Sequence, residues 1–78
     1  MTLSDIRPGE ECLVGTLHFN NLRKRLIDLG LTTGTLVRVK KMAPLGDPME
    51  IWIRGYLLTL RKAEARSIEV EKREAEGK

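Results

Sequence analysis

Apolar and polar residues alternate along several short stretches of this chain, as they do in strands that turn one face toward a core. The clearest stretch runs from Met49 to Ile53, where every second residue is a large apolar side chain. In the next stretch Tyr56, Leu58 and Leu60 are expected to face the core. The pattern predicts strands over residues 36–41, 49–53, 56–60 and 67–71, and a further strand over 11–17, where the alternation is imperfect and Gly15 could form a bulge.

A different spacing marks a short helix between the first two strands. Three leucines recur on one helical face, namely Leu22, Leu26 and Leu29. The side chains of Asn20 and Asn21 can cap the first turn, and Gly30 supplies the left-handed residue that ends a helix. Residues 62–66 suit one further helical turn.

Turns and a charged end complete the organisation. Two prolines and a glycine interrupt residues 43–48, which predicts a loop, and Arg54-Gly55 predicts a tight hairpin turn. From Lys72 onward the chain has no large apolar residue, so we expect one domain over residues 1–71 and a charged flexible tail over 72–78. Five short strands and a helix in so short a chain favour a mainly β fold, a small closed barrel.

The charge is concentrated in the middle of the chain. Residues 20–66 hold ten Lys or Arg against four Asp or Glu, a net charge of +6, whereas the whole chain carries +3. This distribution favours an acidic partner surface, nucleic acid or an anionic membrane face, and an ordinary solvated surface is the competing interpretation. No apolar run approaches the roughly 20 residues that cross a bilayer, and no apolar leader is evident. The lone Cys12 requires no oxidising compartment, so we expect a cytoplasmic protein.

Residues that carry chemistry are few. Cys12 and His18 are the only cysteine and the only histidine, and on an extended strand they lie about 20 Å apart, too far to share a metal ion. We therefore expect a half-buried cysteine and a surface histidine. One histidine does not support a catalytic triad, and the single glycine of the 43–48 loop does not make a phosphate-binding loop. We expect no enzyme activity, no metal site and no cofactor.

Several motifs occur together in the order typical of one family. They are Arg25-Leu26 with Leu29-Gly30-Leu31, Gly34-Thr35 with Val37, Ala43-Pro44-Leu45-Gly46-Asp47-Pro48, Arg54-Gly55-Tyr56, and Leu58 through Leu60-Arg61 with Ala65. On these motifs the chain resembles the FeoA family over most of its length. Thr33 departs from the family pattern, in which a proline is frequent at that place.

The resemblance implies a five-stranded SH3-like barrel and a cytoplasmic accessory protein of ferrous iron uptake. Its implied partner is FeoB, a membrane ferrous transporter with a GTP-binding domain whose GTPase activity the protein would modulate. The alternative is a basic small-barrel protein that binds nucleic acid. Two features count against that alternative: the chain has only three aromatic residues, and its net charge is small. Single-stranded nucleic acid is bound by stacked aromatic and basic side chains.

Seven residues are candidates for the partner-binding surface. They are Arg23, Lys24, Arg38, Lys40, Leu45, Trp52 and Leu57. Trp52 and Leu57 occupy outward positions on two adjacent strands, where they are expected to be cross-strand neighbours in a docking or self-association patch. The competing expectation is that the tail or the 43–48 loop covers them. Reversing the charge of Lys24 or Arg38 is expected to weaken partner binding.

Overall fold

The computed structural model describes residues 1–73 and contains a five-stranded antiparallel sheet. Its strands are β1 (Glu11–Leu17), β2 (Leu36–Met42), β3 (Met49–Ile53), β4 (Tyr56–Leu60) and β5 (Ile68–Arg73). The other elements are α1 (Arg23–Asp28) between β1 and β2, α2 (Lys62–Arg66) between β4 and β5, and a short 3-10 helix (Leu3–Asp5) before β1. The predicted mainly β fold, with a short helix between the first two strands, is confirmed.

The strand order β4-β3-β2-β1-β5 makes β4 and β5 the edges of the sheet. The predicted closure of the sheet is therefore not observed among residues 1–73, because β4 and β5 do not pair with each other. The inward positions of β2 and β3 are buried as the alternation predicted. The start of the chain also enters the core, because Leu3 and Ile6 are fully buried, and the 3-10 helix packs against α2. The sequence pattern gave no sign of this contribution, since two isolated apolar residues show no periodicity.

Helix α1 begins slightly later than its capping signals indicated. Asn20 lies three residues ahead of the helix, and its Oδ1 accepts a hydrogen bond of 2.9 Å from the N–H of Leu22. At the other end Gly30 has φ +102°, and the N–H of Leu31 donates to the carbonyl of Leu26 at 3.0 Å. This backward bond across a left-handed glycine closes the helix, as predicted.

The turn between β3 and β4 is the predicted tight hairpin. Arg54 and Gly55 have φ +48° and +88°, the two positive values of a type I′ turn. Arg54 is the only residue other than glycine with positive φ among residues 1–73. Its guanidinium donates to the Gly30 carbonyl and to the hydroxyls of Thr32 and Thr35, over 2.9 to 3.3 Å. The hairpin is therefore attached to the end of α1 and to the turn that follows it.

The prediction that Tyr56, Leu58 and Leu60 all face the core is wrong for Tyr56. Leu60 is fully buried and Leu58 is half-buried, but Tyr56 is 42% exposed. The reason is that β4 is an edge strand and Tyr56 directs its hydroxyl to the carbonyl of Leu29, at the end of α1. Its ring therefore lies between the edge of the sheet and the end of α1 instead of filling the core.

Strand β5 continues two residues beyond its predicted end. Lys72 pairs with Cys12 and Arg73 with Glu11 in the ladder to β1, and Lys72 Nζ lies 2.7 Å from Glu10 Oε2. Backbone pairing does not require apolar side chains, so hydrophobic alternation could not indicate this extension. The rest of the predicted tail, residues 74–78, lies outside the described residues.

Candidate partner-binding surface

The outer face of the sheet presents a row of predicted site residues on three neighbouring strands. Trp52 on β3 lies opposite Arg38 on β2 and opposite Leu57 on β4. The predicted cross-strand contact of Trp52 with Leu57 is therefore confirmed. Trp52 is 43% exposed and Leu57 is 40% exposed, so the 43–48 loop does not cover them. The other candidate cover, the tail, lies outside the described residues from residue 74 onward.

A cation lies over the aromatic ring in this row. Lys40, two residues after Arg38 on the same face of β2, places Nζ 5.6 Å from the centroid of the Trp52 ring. We call Arg38, Lys40, Trp52 and Leu57 the outer-face patch. It combines an apolar centre with a basic border, an arrangement suited to a partner with an apolar side chain ringed by carboxylates.

The other three predicted residues lie on different elements. The Arg23 guanidinium on α1 stacks 4.6 Å from the Phe19 ring centroid, and Lys24 Nζ lies 3.4 Å from Asp28 Oδ2 one helical turn away. Leu45 is 86% exposed in the loop between β2 and β3. The contacts of Arg23 and Lys24 are thus with neighbours along the chain, whereas those of the outer-face patch join three strands.

Two exposed apolar residues were missed by the sequence reasoning. Leu36 is on the outer side of β2, two residues before Arg38, and is half exposed. The alternation of β2 already contained this signal, because residues two apart on a strand share a face. Phe19 is 89% exposed and borders a surface cavity of about 240 Å³ with Arg23 and Ile27. No periodicity marks a residue in the connection between a strand and a helix.

Cys12 and His18 lie in different environments. Cys12 is fully buried, more than the half-burial expected, and burial raises the pKa of its thiol to about 11. His18 is exposed as expected, and its Nε2 lies 3.0 Å from Glu69 Oε2. The hydrogen bond to His18 lowers the pKa of Glu69, with the terminal amine of Met1 adding to the effect. Within residues 1–73, no three His, Cys, Asp or Glu side chains converge as metal ligands would.

Comparison with known proteins assigns the family. The family model of the FeoA domain matches residues 1–72. The chain belongs to the FeoA family. A curated relative, the Fe(2+) transport protein A/Fe(2+) transporter FeoB fusion protein of Porphyromonas gingivalis, is 33% identical over 72 residues. That match covers 91% of the chain and only 8% of the fusion protein.

Solved structures of FeoA proteins share the fold. The solution structure of the FeoA protein from Chlorobium tepidum superimposes with a TM-score of 0.85 at 40% identity, covering 99% of this chain and 75% of that one. Stenotrophomonas maltophilia FeoA, crystallised with zinc and described as a prokaryotic SH3 domain protein, gives 0.80 at 26% identity, covering 91% and 89%. The expected SH3-like fold is confirmed, and the family is associated with ferrous iron transport. Residues 1–73 include no helix long and apolar enough to span a bilayer.

Proposed function

We propose that this FeoA-family domain is a non-catalytic cytoplasmic accessory protein that binds the cytosolic region of a FeoB-type ferrous iron transporter. The observation that carries the proposal is the Porphyromonas gingivalis relative, in which the two proteins form one polypeptide. Fusion keeps two modules at a high effective concentration, and this favours an interaction between them. In a separate chain a specific docking surface has to supply the same association.

The outer-face patch is the surface that we propose for docking. An exposed Trp beside an exposed Leu supplies the apolar anchor that is typical of binding hot spots. Arg38 and Lys40 at its border would attract an acidic partner over several ångströms and raise the association rate. Because these charges are exposed, added salt would screen that attraction.

Charge reversal on the sheet tests this surface. Arg38→Glu is expected to weaken binding of the purified cytosolic region of the cognate transporter about tenfold, because it places a carboxylate beside an acidic partner. Arg66→Glu, on α2, makes the same change in net charge and serves as the matched control. Equal loss in both variants would mean that net charge alone drives the association, and no loss in Arg38→Glu would place the docking surface elsewhere.

Lys24→Glu asks whether the surface extends to α1. Weakening comparable to that of Arg38→Glu would support the larger basic face, and unchanged affinity would confine docking to the sheet.

GTP hydrolysis by the transporter, measured with and without the protein, tests the proposed modulation of its GTPase activity. Hydrolysis that stays the same at saturating protein would leave a scaffold role and exclude a regulator.

A further inference from the structure

The two edges of the sheet are protected differently. On the outer side of β5, the N–H of Val70 donates to the carbonyl of Met1 at 3.0 Å, and Thr2 forms a bridge with Glu69. The start of the chain therefore covers part of that edge. Among residues 1–73, no backbone segment pairs with the outer side of β4.

The hairpin geometry determines which backbone groups of β4 face outward. A two-residue turn closes on a hydrogen-bonded pair, here Ile53 with Tyr56, and such pairs then alternate along the ladder. Leu58 and Leu60 are consequently bonded to β3. The N–H and C=O groups of Leu57 and Thr59 point away from the sheet, where a further strand could bond to them.

This edge lacks the features that normally prevent strand addition. Residues 56–60, Tyr-Leu-Leu-Thr-Leu, contain no charge and no proline, and their register with β3 is continuous without a bulge. Natural edge strands usually carry at least one of these protections. Tyr56 and Leu57 are also about 40% exposed, so an added strand would find apolar side chains on both faces.

The charges at the two ends of β4 indicate the kind of strand that fits. Arg54 lies at one end, and Arg61 and Lys62 lie at the other, where Asp47 accepts from the Lys62 N–H and lies 3.5 Å from Arg61. Antiparallel pairing with a second copy about Leu58 would bring the Arg54 end of β4 toward the second copy's Arg61 and Lys62. That repulsion disfavours self-pairing, whereas an apolar strand with acidic ends would meet a cation at each end.

We propose that the open edge of β4 binds an extended, acid-flanked apolar segment of another protein by strand addition. Main-chain bonds to Leu57 and Thr59 would supply affinity, and Leu57 with Trp52 would select apolar side chains on the outer face. The inference deepens the proposed function and rests on it in one respect, since the cytosolic region of the transporter is the expected source of the segment.

A pair of substitutions at one position tests the edge. Thr59→Pro removes an N–H that points outward and is not needed by the ladder to β3, and proline is tolerated at such edge positions. Thr59→Val keeps the N–H and a similar shape. Thr59→Pro is expected to weaken binding of the cytosolic region about tenfold, because one partner carbonyl loses its donor, and Thr59→Val is expected to bind as the unmodified protein does.

Dispersed amide spectra must show that Thr59→Pro is folded. If it is not, Thr59→Glu replaces it, because that side chain is exposed, lies outside the outer-face patch and would oppose an acidic segment by its charge. Wild-type affinity in the folded edge variant would overturn the inference while leaving the proposed function intact.

A peptide probe separates failure of the edge from failure of the proposed partner. The probe has a Val-Thr-Val-Thr-Val centre with paired glutamates at both ends, and its twin has lysines instead. We expect the acidic peptide to shift the Leu57 and Thr59 amides and slow their hydrogen exchange, and the basic twin to do so far less. If the cytosolic region does not bind, the proposed partner is wrong, and the peptide titration alone then tests strand addition at β4. Absence of peptide shifts in β4, or equal shifts from both peptides, would overturn the proposed strand addition.

Discussion

At the residue scale, the backbone conformation of Arg54 destabilises the fold, whereas its side chain stabilises it. Its positive φ is unfavourable for a residue with a side chain, and asparagine or glycine is usual at this place in the turn. Its guanidinium compensates by bonding to Gly30, Thr32 and Thr35 across the end of α1. The sequence predicts the turn from Arg54-Gly55 but not these contacts, because they depend on where the tertiary structure places α1.

Arg54→Ala tests the value of that network. Truncation keeps the strained backbone and removes the donors, so we expect the free energy of unfolding to fall by about 1–3 kcal/mol. Urea denaturation followed by far-UV circular dichroism measures the change. Lys24→Ala is the control, because within residues 1–73 that exposed side chain bonds only to Asp28 and its loss should cost less than about 0.5 kcal/mol. Equal stability of the Arg54 variant and the control would show that the network contributes nothing.

At the element scale, α2 depends on one carboxylate. Glu64 Oε1 accepts from the backbone N–H of Arg61 at 2.9 Å, and its Oε2 lies 2.7 Å from Arg25 Nε on α1. Burial raises the pKa of Glu64, but these hydrogen bonds outweigh burial and hold that pKa below its ordinary value. A helix of only five residues cannot form on its own, so the cap and the link to α1 stabilise it in place.

Glu64→Gln is expected to cost about 1 kcal/mol at neutral pH, because it loses the charge-assisted bonds. A carboxyl whose pKa is lowered by folding stabilises the protein above its ordinary pKa of 4.5 and loses that effect as pH falls through the lower folded value. The difference between wild type and variant should therefore shrink below pH 4.5, as thermal unfolding at several pH values can measure. Exposed Glu71→Gln is the control, and a difference independent of pH would contradict the assignment.

The strands were predicted more accurately than the segments and contacts around them. Alternation located β2 to β4 closely, since a half-buried strand imposes its period on the sequence. It could not reveal that Tyr56 bonds to Leu29, that Lys72 and Arg73 extend β5, or that Leu3–Asp5 forms a 3-10 helix. These features are set by partners distant along the chain. For the same reason the contact of Trp52 with Leu57 was predictable from one hairpin, whereas the place of Arg23 and Lys24 relative to the sheet was not.

At the scale of the whole molecule, the start of the chain is part of the core. Leu3 is fully buried, and its helix packs against α2 and β5, elements from the opposite end of the sequence. Leu3→Ala is expected to lower the free energy of unfolding by about 2–5 kcal/mol, the usual cost of a buried cavity. Leu45→Ala, a truncation of the same size at a side chain that is 86% exposed, should change it little. Chemical denaturation of both variants measures the contrast, and a tolerant Leu3 would mean that this segment is dispensable.

The pairing of β1 with β5 also determines when the domain can fold. Val14 needs Val70 as its ladder partner, and Thr2 needs Glu69, so the first strand remains without one neighbour until the last strand exists. Contacts between such distant residues also form slowly, because closing the intervening chain costs entropy. On a ribosome, β5 is the last of the five strands to be synthesised and the last to leave the exit tunnel. The complete sheet therefore cannot form before β5 has left the tunnel, and until then the edge of β1 that will pair with β5 is also open to other strands.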